Sequence, residues 1–415
     1  MPTYLTPGIY IEEISTGARP IEAVGTSTAA FIGVAPNGDA HLHEALGINN
    51  WSQFVKEYSA EGATSTPLSH AVYGFFQNGG GRCYVVNVGA KRELVGDGRQ
   101  RKGIETLEEV DEVAIVAAPG FSDAASYDTL LSHCERLQDR VAILDAPENA
   151  ANFNVDQLKT VAASGAAKPK KPAAGDTSAP ADTAPAGPAG GLRARTSDNG
   201  FGAFYFPWLV VRDPFSPTDL VNVPPSGHIA GIFARTDATR GVHKAPANET
   251  VRGALDLTYK VTREEQGELN RLGVNCIRQF ATQGIRVWGA RTLADSASEW
   301  RYLNVRRLFN QIEESIADGT RWVVFEPNDV SLWKSIERDV SAFLTLQWRQ
   351  GALMGATPEE AFFVRCNDET NPREVIDAGM VVTLVGIAPV KPAEFVIFRI
   401  GQGAGGAEIE IQGGA

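Results

Sequence analysis

A chain of 415 residues, 43% hydrophobic and 21% charged, has room for roughly two or three domains and excludes wholesale disorder. Its formal net charge of -12 excludes the broad basic field that non-specific phosphate binding needs, so nucleic acid is not expected as a main partner. No stretch approaches about 18 uninterrupted apolar residues, and the opening MPTYLTPGIYIEEIS has no basic or apolar leader region, so the expectation is a protein made in the cytoplasm that inserts in no membrane by itself.

In chain order, TPGIYIEEI (6–14) has strand composition and is bordered by Gly and Pro. His41 and His43 are expected on one side of a short extended stretch, which would suit a metal only if further ligands joined them; a surface loop is the commoner outcome. The glycines of NGGGRC (78–83) could cradle an anion, but Gly clusters chiefly mark turns, and a tight turn before the strand CYVVNV accounts for them. DEVAIVAAPG (111–120) reads as a buried strand ending in a turn. SDAASYDTLLSHCERLQDR (122–140) reads as a helix capped by Ser122 or Asp123, and RVAILDAP (140–147) as a second buried strand. From Ala162 to Gly191 there is no Val, Ile, Leu, Met or aromatic residue. Such a segment cannot offset its ordering entropy by apolar burial and is expected as a mobile, outward-facing loop.

FGAFYFPWLVVRDP (201–214) gives another strand, and SGHIAGIFARTDATRG (226–241) a helix ended by Gly241. This alternation predicts a parallel sheet covered on both faces. The pattern changes near residue 274, where VNCIRQF (274–280) and GIRVWGAR (284–291) read as a hairpin. Two amphipathic helices follow, one with Val305, Leu308, Phe309, Ile312 and Ile316 at helical spacing, the other with Leu332, Ile336, Val340, Phe343 and Leu344. RWVVFEPND (321–329) between them reads as a strand, and EEAFFVRC (359–366) and MVVTLVGIAPV (380–390) as two more, giving a separate α+β unit. EFVIFRI (394–400) and, after GQGAGG (401–406), the alternating AEIEIQ (407–412) again have strand composition. A terminal strand with no neighbour in its own chain is an edge open to a partner, so donation to another subunit competes with the commoner folding onto its own sheet.

Signs of chemistry are weak. Cys83, Cys134, Cys276 and Cys366 lack any metal-ligand spacing and are expected as reduced, buried residues. His228 and His243 bracket a small, apolar helix, where buried, hydrogen-bonded histidines are the default. GQGAGG lacks the GK[ST] of a phosphate loop and opens no helix. SGHIAG (226–231) looks like the end of the subtilisin-type motif GTSMASPHVAG, and Asp145, after a strand, could imitate a triad acid. Aligned there, the nucleophilic Ser falls on Val223, which has no hydroxyl to activate.

The blocks TPGIYIEEISTGARPIEAVGTSTAAFIG (6–33), FFQNGGGRCYVVNVG (75–89), SGHIAGIFARTDATRGVHKAPAN (226–248), GVNCIRQF, GIRVWGARTL, WRYLNVRRLFNQIEESI, RWVVFEPND, TPEEAFFVRC and APVKPAEFVIFRI run in order over nearly the whole chain. Together they closely resemble contractile tail sheath proteins. Residues 91–111 and the Ala/Pro segment have no place in that pattern.

The resemblance implies an α/β outer part with a subtilisin-like parallel sheet, an α+β inner domain, and extended β-strand N- and C-terminal arms. It implies an N-terminal arm at 1–22, an α/β sheath region at 23–290 with the flexible insertion at 162–195, an inner domain facing a tube at 291–395, and a C-terminal arm at 396–415. The implied function is a structural subunit that polymerises into stacked six-fold rings around an inner tube and contracts to drive that tube through an envelope. Baseplate and tail-cap proteins are further implied partners, with no catalytic residue, cofactor or metal. Arms of such proteins interlock by strand exchange, which places Ile9, Tyr10, Ile11 and Ile14 in one intersubunit strand and Phe395, Ile397, Phe398, Ile409 and Ile411 in the other. Pro7, Gly8, Gly17, Pro20 and the glycines of 401–406 suit hinges beside them. On the helix from 331 to 349, Lys334, Arg338 and Ser341, with Glu337 beside them, form a polar stripe that could meet an acidic tube surface, although charged stripes are more often simply solvated. The alternatives are an active subtilisin-like hydrolase and a non-contractile filament or tube protein. Removing the Ala/Pro insertion is expected to leave assembly intact.

Overall fold

A strand such as AAFIG, apolar at every position, is stable only when both of its faces are covered. In the computed structural model, which describes residues 20–96, 100–148, 154–162 and 190–395, this strand sits inside the sheet and is buried at all five positions. The chain forms β1 (Ala29–Gly33), β2 (Ala45–Ile48), α1 (Trp51–Tyr58), α2 (Pro67–Gln77), β3 (Cys83–Asn87), β4 (Ile115–Ala117), α3 (Ala124–Leu137), β5 (Val141–Asp145), β6 (Gly202–Phe206), β7 (Leu209–Arg212), β8 (Leu220–Val223) and α4 (Ser226–Arg240). Next come β9 (Glu249–Thr250), β10 (Asp256–Leu257), α5 (Arg263–Arg271), β11 (Val274–Phe280) and β12 (Gly284–Val287). The C-terminal part holds α6 (Leu303–Gly319), α7 (Val330–Arg349), α8 (Pro358–Ala361), β13 (Phe362–Arg365), α9 (Arg373–Asp377) and β14 (Leu384–Ile387).

Nine strands form one sheet in the order β2-β3-β1-β4-β5-β6-β11-β12-β9. The run from β3 to β11 is parallel, and antiparallel strands finish both edges. Strand side chains alternate between faces, so Ala29 and Phe31 join one core while Ala30 and Ile32 join another. The first core is closed by α1, α2 and α4 through Phe54, Leu68, Phe75, Ile229 and Phe233. The second is closed by α3 and α5 through Tyr127, Leu130, Leu131 and Leu269. A third core lies between α6, α7 and β13, with Leu308, Ile312, Leu332, Trp333, Ile336, Val340, Phe343 and Leu344. Asp123 caps α3, its Oδ1 accepting from the N–H groups of Ala125 and Ser126. Gly241, at φ 86°, ends α4 as its sequence position predicts.

Four readings need correction. FGAFYFPWLVVRDP is two strands: Pro207 offers no N–H to a ladder, and past it β7 leaves the large sheet to pair with β8 and β10. The hairpin β11–β12 belongs to the large sheet, because β11 pairs with β6. RWVVFEPND is not a strand; Arg321–Val323 form a 3₁₀ turn and Phe325 has φ 70°. His41 and His43, at φ 45° and 57°, lie in a turn instead of an extended stretch. The ends of the Ala/Pro insertion meet in a bridge between Val161 and Arg193, and the strands on either side of it, β5 and β6, are neighbours in the sheet.

Helices α2 and α4 cross at close range because glycines face the contact. A Cβ on Gly231 would lie 2.5 Å from the Phe75 carbonyl oxygen and 2.7 Å from Asn78 Cβ, and one on Gly74 would lie 2.4 Å from the His228 ring. Gly231→Ala would gain about 1 kcal/mol of helix propensity but drive a methyl group into backbone, at a cost of about 1–3 kcal/mol. A lower urea midpoint is therefore expected; an unchanged or raised midpoint would show that the two helices can separate freely.

Candidate functional site

Three features bear on function: a two-stranded ribbon, the roots of the two terminal segments, and a buried carboxylate at the start of α4.

The ribbon pairs β13 with β14 antiparallel, Phe363 opposite Gly386 and Val364 opposite Val385. A lone two-stranded ribbon is marginal in water; this one is held by Phe362, Val364 and Ile387, which pack on the third core. The Phe363 ring covers Gly386, where a Cβ would come within 2.2 Å of it. Among the described residues neither outer edge has a strand neighbour, and Phe363, Leu384 and Val385 are exposed. Free ladder edges beside exposed apolar side chains suit the addition of further strands.

Both terminal segments enter the body along α6. Arg307, Gln311, Ser315 and Gly319 recur every fourth residue and so form one stripe on this helix. Residues 26 to 21 run down that stripe: Arg307 Nη2 donates to Thr26 O at 3.0 Å, Gln311 Nε2 to Val24 O at 3.2 Å, and Val24 N to Ser315 Oγ at 3.0 Å. Ile21 is buried where Gly319 lacks a side chain. Arg307 also pairs with Asp237 of α4, which accepts a 2.6 Å bond from Thr26 Oγ1, and its guanidinium lies over the Phe233 ring.

At the other end of α6 the C-terminal segment is clamped. Asn304 Nδ2 donates to Val390 O at 3.1 Å. The Glu394 carboxylate accepts from Arg291 Nε at 2.9 Å, Arg291 Nη2 at 2.6 Å and Asn270 Nδ2 at 2.7 Å. Arg291 is held in turn by Asn275, which exchanges two 2.7 Å bonds with its backbone. Burial pushes the Glu394 carboxyl up, but the Arg291 and Asn270 hydrogen bonds and the Arg291 charge outweigh that and keep its pKa below the ordinary value.

Of the residues singled out from the sequence, Lys334 and Arg338 are exposed on α7, with Glu337 and Ser341 half-buried. Arg338 Nε donates to Asp339 Oδ1 at 3.0 Å. Phe395 is exposed where the described chain ends; Ile9, Tyr10, Ile11, Ile14, Ile397, Phe398, Ile409 and Ile411 lie outside the described residues. His41 is spent on two carboxylates, with ring nitrogens 3.1 Å from Glu44 and 3.3 Å from Glu57, while His43 Nδ1 accepts from Gly103 N. The four cysteines are free and buried.

The hydrolase-like residues are arranged for structure. Val223 is fully buried. Pro225, at the N-cap of α4, has no side-chain acceptor, and Asp145 supplies one from the end of β5. Its Oδ1 accepts from Ser226 N at 2.7 Å, and its Oδ2 lies 2.6 Å from Ser226 Oγ. His228, contrary to the expectation of hydrogen-bonded histidines, leaves Nδ1 without a partner among the described residues, and burial lowers its pKa to about 4. No histidine among the described residues reaches Ser226, so the Asp–Ser pair has no base to relay a proton. Sequence reasoning missed the α6 stripe and the Glu394 clamp. The one available signal was the fourfold spacing of Arg307, Gln311, Ser315 and Gly319.

The decisive observation is the likeness of the whole chain to solved assemblies. It matches a sheath subunit of the anti-feeding prophage helical sheath in its contracted state at 30% identity and TM-score 0.71, over 96% of this chain and 100% of that one. It belongs to the phage tail sheath protein family. Two family models follow one another along this sheath chain: "Phage tail sheath protein central domain" on residues 101–293 and "Phage tail sheath C-terminal domain" on residues 295–402. The sheath chain is also similar to the PVC sheath of an extracellular contractile injection system in its contracted state, at 29% identity and TM-score 0.73 over 97% and 99% of the two chains. The tail sheath protein of Vibrio phage KVP40 is 31% identical over 177 residues, 42% of this chain but 26% of that relative. This sheath chain thus spans about a quarter of the length of that curated relative.

Burial raises the pKa of Asp145 to about 7, against the opposing bonds from Ser226. Between the ordinary carboxyl value and about 7 the folded protein holds a proton that the unfolded chain releases. The stability this contributes is complete below about pH 4 and is lost as pH rises towards 7, by about 1.4 kcal/mol per pH unit. Asp145→Asn keeps an acceptor for Ser226 N and a donor for Ser226 Oγ but does not titrate. Urea unfolding from pH 4 to 7 is expected to show a flatter pH dependence for the variant; parallel curves would place an uncharged Asp145 outside the folding equilibrium.

Proposed function

We propose that the chain is the sheath subunit of a phage tail or tail-like contractile particle. It polymerises in six-fold stacked rings around an inner tube and shortens collectively to drive that tube through an envelope. The end-to-end match to sheath subunits of contracted injection systems carries this reading. The β13–β14 ribbon supports strand exchange: its free edges accept the N-terminal strand around Ile9, Tyr10, Ile11 and Ile14 from one neighbour and the C-terminal strand around Phe395, Ile397, Phe398, Ile409 and Ile411 from another. Each backbone bond gained contributes only about 1 kcal/mol net, but the set repeats at every subunit.

Residues 1–22 and 396–415 act as the arms in this proposal, 23–290 as the outer α/β body, and 291–395 as the inner unit facing the tube. The exposed cations Lys334 and Arg338 on α7 then meet an acidic tube surface. Baseplate and tail-cap proteins terminate the polymer, which assembles in the cytoplasm before the particle is released. Contraction is a switch between two packings of rigid bodies and needs no cofactor in this subunit. The parallel sheet takes the subtilisin-like arrangement without its chemistry.

Negative-stain microscopy of the intact chain, of a chain lacking residues 1–19 and of Glu394→Ala tests this. Helical tubes or stacked rings are expected from the intact chain alone, none from the truncation, and short or frayed tubes from Glu394→Ala, whose C-terminal arm loses its anchorage. Monodisperse particles from all three would remove the sheath reading.

A further inference from the structure

The turn between α6 and α7 carries an aromatic residue that the fold itself does not use. Phe325 is exposed at 103% of its reference area, with φ 70°. Residues with a Cβ seldom adopt that conformation, and a solvated ring gains nothing from burial. Such outliers gather where a site is built. Val324 and Val330 beside it are also exposed. The turn is held firmly: Val323 N donates to Thr320 O at 2.9 Å, Trp333 Nε1 to Asn328 Oδ1 at 2.8 Å, and Asn328 Nδ2 to Met380 O at 2.9 Å. Glu326 is exposed and in no ion pair among the described residues.

Elsewhere on the molecule a cavity of about 380 Å³ opens beside the end of β12 and the segment 392–394, walled by Ala245, Trp288, Ala290, Pro392 and Ala393. Its one carboxylate, Glu394, is neutralised by Arg291. Three cations bond to residues that line it: Lys244 Nζ to the carbonyls of Ala245 and Ala247, Arg278 Nη1 to Gln266 Oε1, and Arg286 Nη1 to Asn248 O. None of the three closes an ion pair among the described residues, although the charge of Glu249 acts on Lys244. An apolar hollow with a cationic rim complements an apolar knob with an acidic neighbour.

We propose that Phe325 of one subunit seats in this cavity on a second copy of the chain, with Glu326 facing the cationic rim. A knob and a hollow at different places on one surface make a heterologous contact, the kind that propagates into an open helix instead of closing as a dimer. The contact rests on the sheath reading and adds to it a side-chain lock distinct from strand exchange.

The test compares tube growth by the full-length wild-type chain, Phe325→Ala, Ala393→Trp, which fills the hollow from an exposed position, and the double variant Phe325→Cys/Ala393→Cys. Both single variants are expected to keep the circular dichroism of the monomer and to raise the concentration needed for tube growth by about tenfold or more, as hot-spot truncation does. Oxidised tubes of the double variant are expected to run as a ladder of multimers on non-reducing gels, the native cysteines being buried. Normal growth of Phe325→Ala tubes, or double-variant tubes without a ladder, overturns the contact. Phe325→Ala chains that polymerise normally alone and fail only on the inner tube overturn it in favour of the tube as the partner of the ring. A wild-type chain that forms no tubes under any condition overturns the sheath reading itself, and the contact with it.

Discussion

The buried ion pair between Arg307 and Asp237 is the joint on which the layout depends. Its side chains are only 3% and 7% exposed, so removing one partner would strand the other charge in the interior, at about 3–5 kcal/mol. The pair as a whole contributes far less, because taking both charges out of water offsets most of their attraction. What it supplies is register. Arg307 also holds Thr26, and Asp237 also takes the Thr26 hydroxyl. The start of the body, helix α4 of the large sheet and helix α6 of the third core therefore meet at one point.

An open α/β sheet normally offers a ligand crevice beyond the strand ends where its order reverses, here between β1 and β4. In this chain that place is filled by the chain itself. Asn87 Oδ1 accepts from Ala35 N and Gly89 N, while its Nδ2 donates to the carbonyls of Gly38 and Ala40. Arg92 reaches across to Gly120 O and lies over the Phe121 ring. Side chains thus knit loops together at the place where an open α/β sheet would hold a ligand, and Asp145 likewise completes a helix start.

Much of the fold was legible because parallel strands buried on both faces are unbroken apolar runs, and because Asp123 and Gly241 sit where helix ends need them. RWVVFEPND misled for the same reason. Its apolar run looks like a strand, yet among the described residues no neighbour offers it a ladder, and the run ends in a short turn that displays Val324 and Phe325. FGAFYFPWLVVRDP misled because a hydrophobic run says nothing about which sheet each half joins, and only Pro207 marks the break. Strand composition made the ribbon visible, with EEAFFVRC and MVVTLVGIAPV supplying its two sides. The seat of the N-terminal segment on α6 was not visible, since Arg307, Gln311 and Ser315 bind backbone more than 280 residues away, and such pairing leaves no local signature beyond a polar stripe.

Helix α6 has a geometric consequence. Its 17 residues make a rod of about 25 Å, with one terminal segment clamped near its start and the other laid along its length. One helix therefore sets the separation of the two exits. In a lattice linked through those exits, the links keep their length and only the angles between them change, as in a pantograph. Height and girth of such a lattice cannot vary independently: every increment of shortening fixes an increment of widening.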